Sequence, residues 1–159
     1  MKIKNIITIL VWIIIAFIPG AFGALFTAPN IQSWYITLNQ PVFTPPSWLF
    51  GPVWTLLYIS MGVAATLIWE KRKENKMVKA ALVIFFAQLF INGLWSMIFF
   101  GQHQILQALF QIILLWFLIL ATIIKFYQIN TLAGLILIPY LLWVSFAALL
   151  NYSFWTLNR

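Results

Sequence analysis

Five stretches of the chain are apolar over the length a bilayer demands, about 20 residues for a helix crossing about 30 Å of hydrocarbon. They fall near residues 5–26, 48–69, 80–100, 104–124 and 131–154, and none carries Asp, Glu, Lys or Arg in its interior. The pattern predicts an all-α integral membrane protein, a single bundle of five transmembrane helices spanning residues 1–159. The connections are short except one. Residues 27–47 hold four of the seven prolines (Pro29, Pro41, Pro45, Pro46) and no charge. A residue before proline avoids the α region, so a long Pro-rich first loop is expected, extended and tightly turned. It can fold over the bundle as a lid or serve as a plain tether, and the two readings stand level.

Polar residues inside the spans recur at helical spacing. In the third segment Gln88, Asn92, Trp95 and Phe99 follow steps of four, three and four. Trp54, Tyr58, Met61 and Ala65 share a face of the second, Gln104, Gln107 and Gln111 one of the fourth, and Pro139, Trp143, Ala147 and Asn151 one of the fifth. Lipid cannot satisfy an amide, so these faces are expected to turn inward and line an aromatic pocket. The competing reading is interhelical glue, at about 0.6 kcal/mol per hydrogen bond. Trp12, Trp34, Trp48, Trp69 and Trp155 are explained as interface anchors. Trp54, Trp95 and Trp143 lie deeper; an indole offers a donor and a wide π face, which suits a large, flat, conjugated ligand. Pro139 is expected to kink the fifth helix, and Gly20, Gly23 and Ala24 to let the first pack closely.

Composition agrees with the pattern: 64% of residues are hydrophobic, 18% aromatic and only 7% charged. A soluble domain is about 25% charged, so the solvent of this chain is lipid. The net charge of +7 has a membrane explanation, not a nucleic-acid one. Lys2, Lys4, Lys71, Arg72, Lys73, Lys76, Lys79 and Lys125 fall on one side of a five-span topology and Arg159 alone on the other. The positive-inside rule then places the N-terminus inside and the C-terminus outside. The first segment is too long for a signal h-region and is read as retained.

The chemistry open to the chain is narrow. It has no cysteine, no aspartate, two glutamates (Glu70 and Glu74) and one histidine, His103. No Ser-His-Asp triad, glycosidase carboxylate pair or multi-ligand metal centre can be assembled from these, so no metal site is expected. His103, in the short third loop, reads as a solvated histidine rather than an axial haem ligand. No internal repeat is visible and the span number is odd, which argues against an inverted-repeat transporter.

The residues also match a family. The run Trp34-Tyr35, Leu38, Pro41, Pro45-Pro46-Ser47-Trp48, Gly51-Pro52-Val53-Trp54, Leu57-Tyr58 and Met61-Gly62 resembles the TspO/MBR family. These are the tryptophan-rich sensory proteins, related to the mitochondrial translocator protein or peripheral benzodiazepine receptor. Ala87-Gln88-Leu89, Asn92, Trp95 and Phe99-Phe100-Gly101 agree, as do Pro139-Tyr140, Trp143, Phe146-Ala147, Leu150-Asn151-Tyr152, Trp155 and Asn158. The similarity covers nearly the whole chain. It implies a five-helix bundle, often a homodimer, with a pocket capped by the first loop. That pocket takes porphyrins, haem-related tetrapyrroles and isoquinoline or benzodiazepine ligands, with no intrinsic cofactor. By position Trp54, Asn92, Trp95, Trp143 and Ala147 match family pocket residues and Tyr35 a loop residue near the ligand. Tyr58 joins them as a candidate. So does Gln107, which stands where mammalian members carry Trp. The resemblance further implies a role in stress and tetrapyrrole regulation. In some relatives it implies light-dependent porphyrin degradation, with Trp54 and Trp143 in the catalytic role. The cholesterol motif is only approximated by Leu150, Tyr152 and Arg159, so specific cholesterol binding is not expected. The short tails suit a bacterial cytoplasmic (inner) membrane.

Four functions compete at this stage: a porphyrin-binding receptor, a photochemical degrader, a facilitated tetrapyrrole transporter and a non-catalytic scaffold subunit. Photochemistry would need no acid, base or metal residue, because the porphyrin itself would be the sensitiser.

Overall fold

The computed structural model describes residues 3–159, with side chains from residue 6 onward. Lys2 and the side chain of Lys4 lie outside the described residues. The elements are α1 (Ile3–Ile31), α2 (Ser47–Glu70), α3 (Met77–Ser96), α4 (Ile105–Ile129), α5 (Thr131–Ile136) and α6 (Ile138–Leu157). No strand forms among the described residues. Five apolar spans result: Ile6–Ile31, Ser47–Glu70, Met77–Gly101, Ile105–Ile129 and Thr131–Leu157. The chain is an integral membrane protein. α1 packs on α2 and α3, α3 on α4, and α4 on α5 and α6, while α2 meets α5.

Local chemistry sets where these spans begin, break and end. α1 runs five residues past its expected end, to Ile31, and takes Pro29 into the helix. A helical proline leaves the carbonyl four residues back, here that of Leu25, without a backbone donor. Around it the side chains of Thr27, Asn30 and Ser33 add bonds to the carbonyls of Gly23, Phe26 and Pro29. The first connection therefore shortens to residues 32–46, with a single 3₁₀ turn at Tyr35–Thr37. The fifth span opens with Asn130, whose side-chain oxygen caps α5 by accepting from the Ala133 amide at 3.1 Å. It is interrupted at Leu137, and Pro139 sits in the first turn of α6. Proline cannot donate to the turn behind it but is pre-shaped for a helix start, so the expected kink is a helix break.

α3 continues into a π-helical turn, Met97–Gly101, in which both Phe99 and Phe100 are buried. His103, with φ of 55°, turns the chain into α4. Helix contacts are closest at glycine: a Cβ on Gly62 would lie 2.5 Å from Ile13 Cα. Trp12 departs from its expected interface role. It is 6% exposed and packs against Trp69, Phe85 and Phe86 at the far end of the bundle from the first connection. Trp48, by contrast, is 71% exposed.

Candidate functional site

A cavity of about 440 Å³ opens within the half of the bundle nearest segment 32–46. Its volume falls in the range of about 300–1,000 Å³ typical of small-molecule sites. Four helices supply most of the wall, and the helical stripes explain why. On α2 the steps from Trp54 to Tyr58 and Met61 stay on the inward face, and Trp54 stacks on Tyr58 with centroids 5.4 Å apart. On α3 the same face presents Asn92, Trp95 and Phe99, and Trp95 stacks on Phe99 at 4.9 Å. On α6 the wall is Trp143, Ala147, Leu150, Asn151 and Phe154. α1 contributes backbone-thin surface at Gly20, Gly23 and Ala24.

Polar groups in the wall are mostly spent on one another. Tyr58 Oη donates to Asn92 Oδ1 at 3.0 Å, and Asn92 Nδ2 donates to Tyr140 Oη at 3.0 Å. Tyr140 Oη in turn donates to Gln88 Oε1 at 2.9 Å. This relay ties α2, α3 and α6 together in the core. A second pair does the same nearer segment 32–46: Trp95 Nε1 donates to Asn151 Oδ1 at 3.1 Å, and Asn151 Nδ2 to the Ile105 carbonyl at 2.9 Å. Such bonds are the glue of the competing reading, yet they also hold aromatic faces at fixed angles around an open space. Trp143 is the exception. Its ring meets Phe50 edge-on at 5.8 Å, and its Nε1 is buried with no hydrogen-bond partner. A buried donor left unpaired costs about 1–3 kcal/mol.

Segment 32–46 reaches the cavity at Tyr35. Tyr35 lines it and packs on Phe100 and Phe154 at 5.6 and 5.3 Å. Burial pushes the Tyr35 hydroxyl pKa up from 10.0 to about 12. Trp34 packs edge-on against Phe99 at 5.5 Å and stacks on His103 at 4.2 Å, and His103 Nε2 meets Asn30 Oδ1 at 3.1 Å. His103 is therefore exposed but engaged, a clamp on the roof rather than a freely solvated loop residue. At the other side the Asn39 amide donates to Asn158 Oδ1 at 2.8 Å, and Asn158 Nδ2 returns a bond to the Asn39 carbonyl at 3.0 Å.

The structure brings Tyr35, Trp54, Tyr58, Asn92, Trp95, Trp143 and Ala147 into this one wall. Gln107 is not among them. It is exposed, on the stripe that continues through Phe110, Leu114 and Phe117, while Ala108, Ile112 and Leu115 turn inward. An amide one turn from a helix end reaches headgroups and water, so it need not face the interior. Gln104 is exposed for the same reason, and only Gln111 of that set is buried, donating to the Ile91 carbonyl. Pro139 also faces outward. Tyr140 was not singled out from the sequence, although a step of three back from Trp143 reaches it. Phe50, Ser96 and Phe154 likewise line the wall without a sequence signal distinct from ordinary packing.

The TspO/MBR family profile matches residues 9–156. The chain is 42% identical over 155 residues to the tryptophan-rich protein TspO of Archaeoglobus fulgidus, covering 97% of this chain and 99% of that one. It is 41% identical over 160 residues to the TspO of Chlorobaculum tepidum, covering 98% of each. It is 37% identical over 142 residues to the human translocator protein, covering 88% of this chain and 84% of that one.

Proposed function

The chain belongs to the TspO/MBR family, and from that premise we propose that it is a membrane receptor for a flat, conjugated ligand of the porphyrin or tetrapyrrole class. The observation that carries the reading is the wall itself: three indoles, Trp54, Trp95 and Trp143, on three different helices around one cavity of about 440 Å³. Stacking and edge contacts of this kind contribute about 0.5–1.5 kcal/mol per aromatic pair beyond area burial. The unpaired Trp143 Nε1 offers one donor that a carboxylate or ring nitrogen of such a ligand could accept from, after a small rotation of the ring. Because the Asn92 and Asn151 amides are engaged with Tyr58, Tyr140, Trp95 and the Ile105 carbonyl, recognition rests on π faces and shape. Isoquinoline and benzodiazepine compounds fit the same description.

The same proposal sets the chain in a bacterial cytoplasmic membrane with the N-terminus inside. Lys71, Arg72, Lys73, Lys76 and Lys79 cluster between α2 and α3, and Lys125 lies near the same end on α4. Relatives are named tryptophan-rich sensory protein and translocator protein. Sensing is favoured over coupled transport, because the lysines within the spans, Lys79 and Lys125, lie near the ends of α3 and α4, away from the cavity wall.

The test is a dark titration of detergent-purified protein with protoporphyrin, read by tryptophan quenching and followed by illumination. Saturable quenching, weakened about tenfold or more by Trp54→Phe with Trp143→Phe, is expected. Quenching no greater than that of a detergent-only control would leave the scaffold reading. Trp54 and Trp143 share the cavity, so illumination is informative. Light-dependent loss of the porphyrin spectrum in the parent chain alone would add degradation to binding.

A further inference from the structure

We propose that the cavity is loaded sideways from the bilayer, through a gap between α1 and α2. The inference rests on the reading that the site takes a membrane-soluble, flat, conjugated ligand. It starts from how the two helices meet. They run antiparallel, and toward the end of the bundle away from the first connection they touch closely, where a Cβ on Gly62 would sit 2.5 Å from Ile13 Cα. Three turns along α2, toward the roof, the situation reverses. A Cβ on Gly51 would meet nothing within 4 Å. α2 is thus pressed against α1 at Gly62 and has open space beside it at Gly51.

The parted section communicates with the cavity. Ala24 and Ala28 of α1, with Ser47, Gly51 and Thr55 of α2, line the cavity and are at the same time exposed on the outer surface. All five side chains are small. At about 1.5 Å per residue, Ala24 lies ~10 Å inside the end of the span that finishes at Ile31. The opening therefore runs from the span end at Ser47, past Gly51 at ~6 Å, down to acyl-chain depth at Ala24.

The roof is tied down at three places. It is held at Asn39 by paired bonds to Asn158, at Trp34 by the His103 stack, and at Tyr35 by Phe100 and Phe154. A ligand coming through water would have to break these contacts. A ligand dissolved among acyl chains would pass from one apolar surrounding to another and meet only methyl groups, one threonine, one serine and bare backbone.

The absence of native cysteine makes the test direct. The chain is placed in phosphatidylcholine nanodiscs preloaded with protoporphyrin, and association is followed by stopped-flow tryptophan quenching. Two variants are compared: Asn39→Cys with Asn158→Cys, oxidised to lock the roof, and Gly51→Phe with Ala28→Phe, which plugs the gap. The locked roof is expected to associate within about twofold of its reduced form, and the plug to slow association by about tenfold or more. Slowing of about tenfold by the lock, or a plugged rate within about twofold of the parent, overturns the proposal.

A spin label on Gly51→Cys supplies a second reading that needs neither ligand nor plug. High accessibility to oxygen and low accessibility to a water-soluble nickel chelate is expected. Preference for the chelate, or protection from both because protein covers the gap, overturns it. Absence of saturable quenching in the parent would remove the receptor reading, while the spin label would still decide whether the gap opens to lipid.

Discussion

Trp95 and Trp143 show how two indoles in one wall do different work. Trp95 Nε1 is bonded to Asn151, whereas Trp143 Nε1 is buried without a partner. Their phenylalanine variants should therefore part in sign. Trp95→Phe leaves the Asn151 oxygen unpaired and is expected to cost about 1–3 kcal/mol of stability in thermal unfolding in detergent. Trp143→Phe removes an orphaned donor and is expected to leave the empty protein as stable or more so, while ligand affinity falls about tenfold, or ~1.4 kcal/mol. Equal destabilisation by both would remove the special place given to Trp143. Tyr35 carries a pH prediction. Its hydroxyl pKa is raised to about 12 by burial against an ordinary 10.0. The packed form favours the protonated ring, so its contribution is complete below pH 10 and declines as pH rises through about 12. Tyrosinate absorbance should lose a late-titrating component in Tyr35→Phe. The sequence made this set of residues readable because Trp54, Tyr58, Asn92 and Trp95 keep helical phase along unbroken helices. It misread Gln107, because a glutamine one turn from a span end satisfies its amide equally well inside the bundle or at the headgroups.

At the scale of elements, two short stretches decide the geometry. One is the break at Leu137. It opens α6, in which Tyr140 is buried and Pro139 exposed. A step of three back from Trp143 reaches Tyr140 and a step of four reaches Pro139, so periodicity alone left the two level. The other is the glycine contact between α1 and α2. Filling it with Gly62→Leu sets a branched side chain against Ile13 backbone and side chain, where neither can yield. Overpacking of this kind costs about 1–3 kcal/mol or more. Gly51→Leu, on the same helix where nothing lies within 4 Å, is expected to cost under about 1 kcal/mol, the helix propensity of leucine offsetting much of any loss. Comparable melting temperatures for the two variants would contradict the parted geometry. The extension of α1 to Ile31 was hidden for a related reason. Pro29 reads as a terminator, yet α1 runs two residues beyond it.

For the molecule as a whole, charge and cavity lie at opposite ends. The cations of the α2–α3 connection are far from the roof, and among the described residues Arg159 stands alone on the roof side. A single cysteine in place of Glu74 should resist a membrane-impermeant maleimide in intact cells, and one in place of Gln40 should react. The opposite result would invert the topology. Five spans and their order were evident from hydropathy, but the closure of the site was not. Asn39 and Asn158 are 119 positions apart, and two asparagines at that separation carry no local signal. Their pairing also sets an order of assembly. During synthesis the first four spans can be inserted while the nascent chain still lacks Trp143, Ala147 and Asn151. Asn158 leaves the ribosome after all of them. The roof is thus fastened only after the whole aromatic wall has been made, and a ribosome-bound intermediate that lacks α6 is an open half-vessel with its aromatic wall turned to the lipid. Quality control that recognises unfinished membrane proteins would meet that surface until α6 arrives.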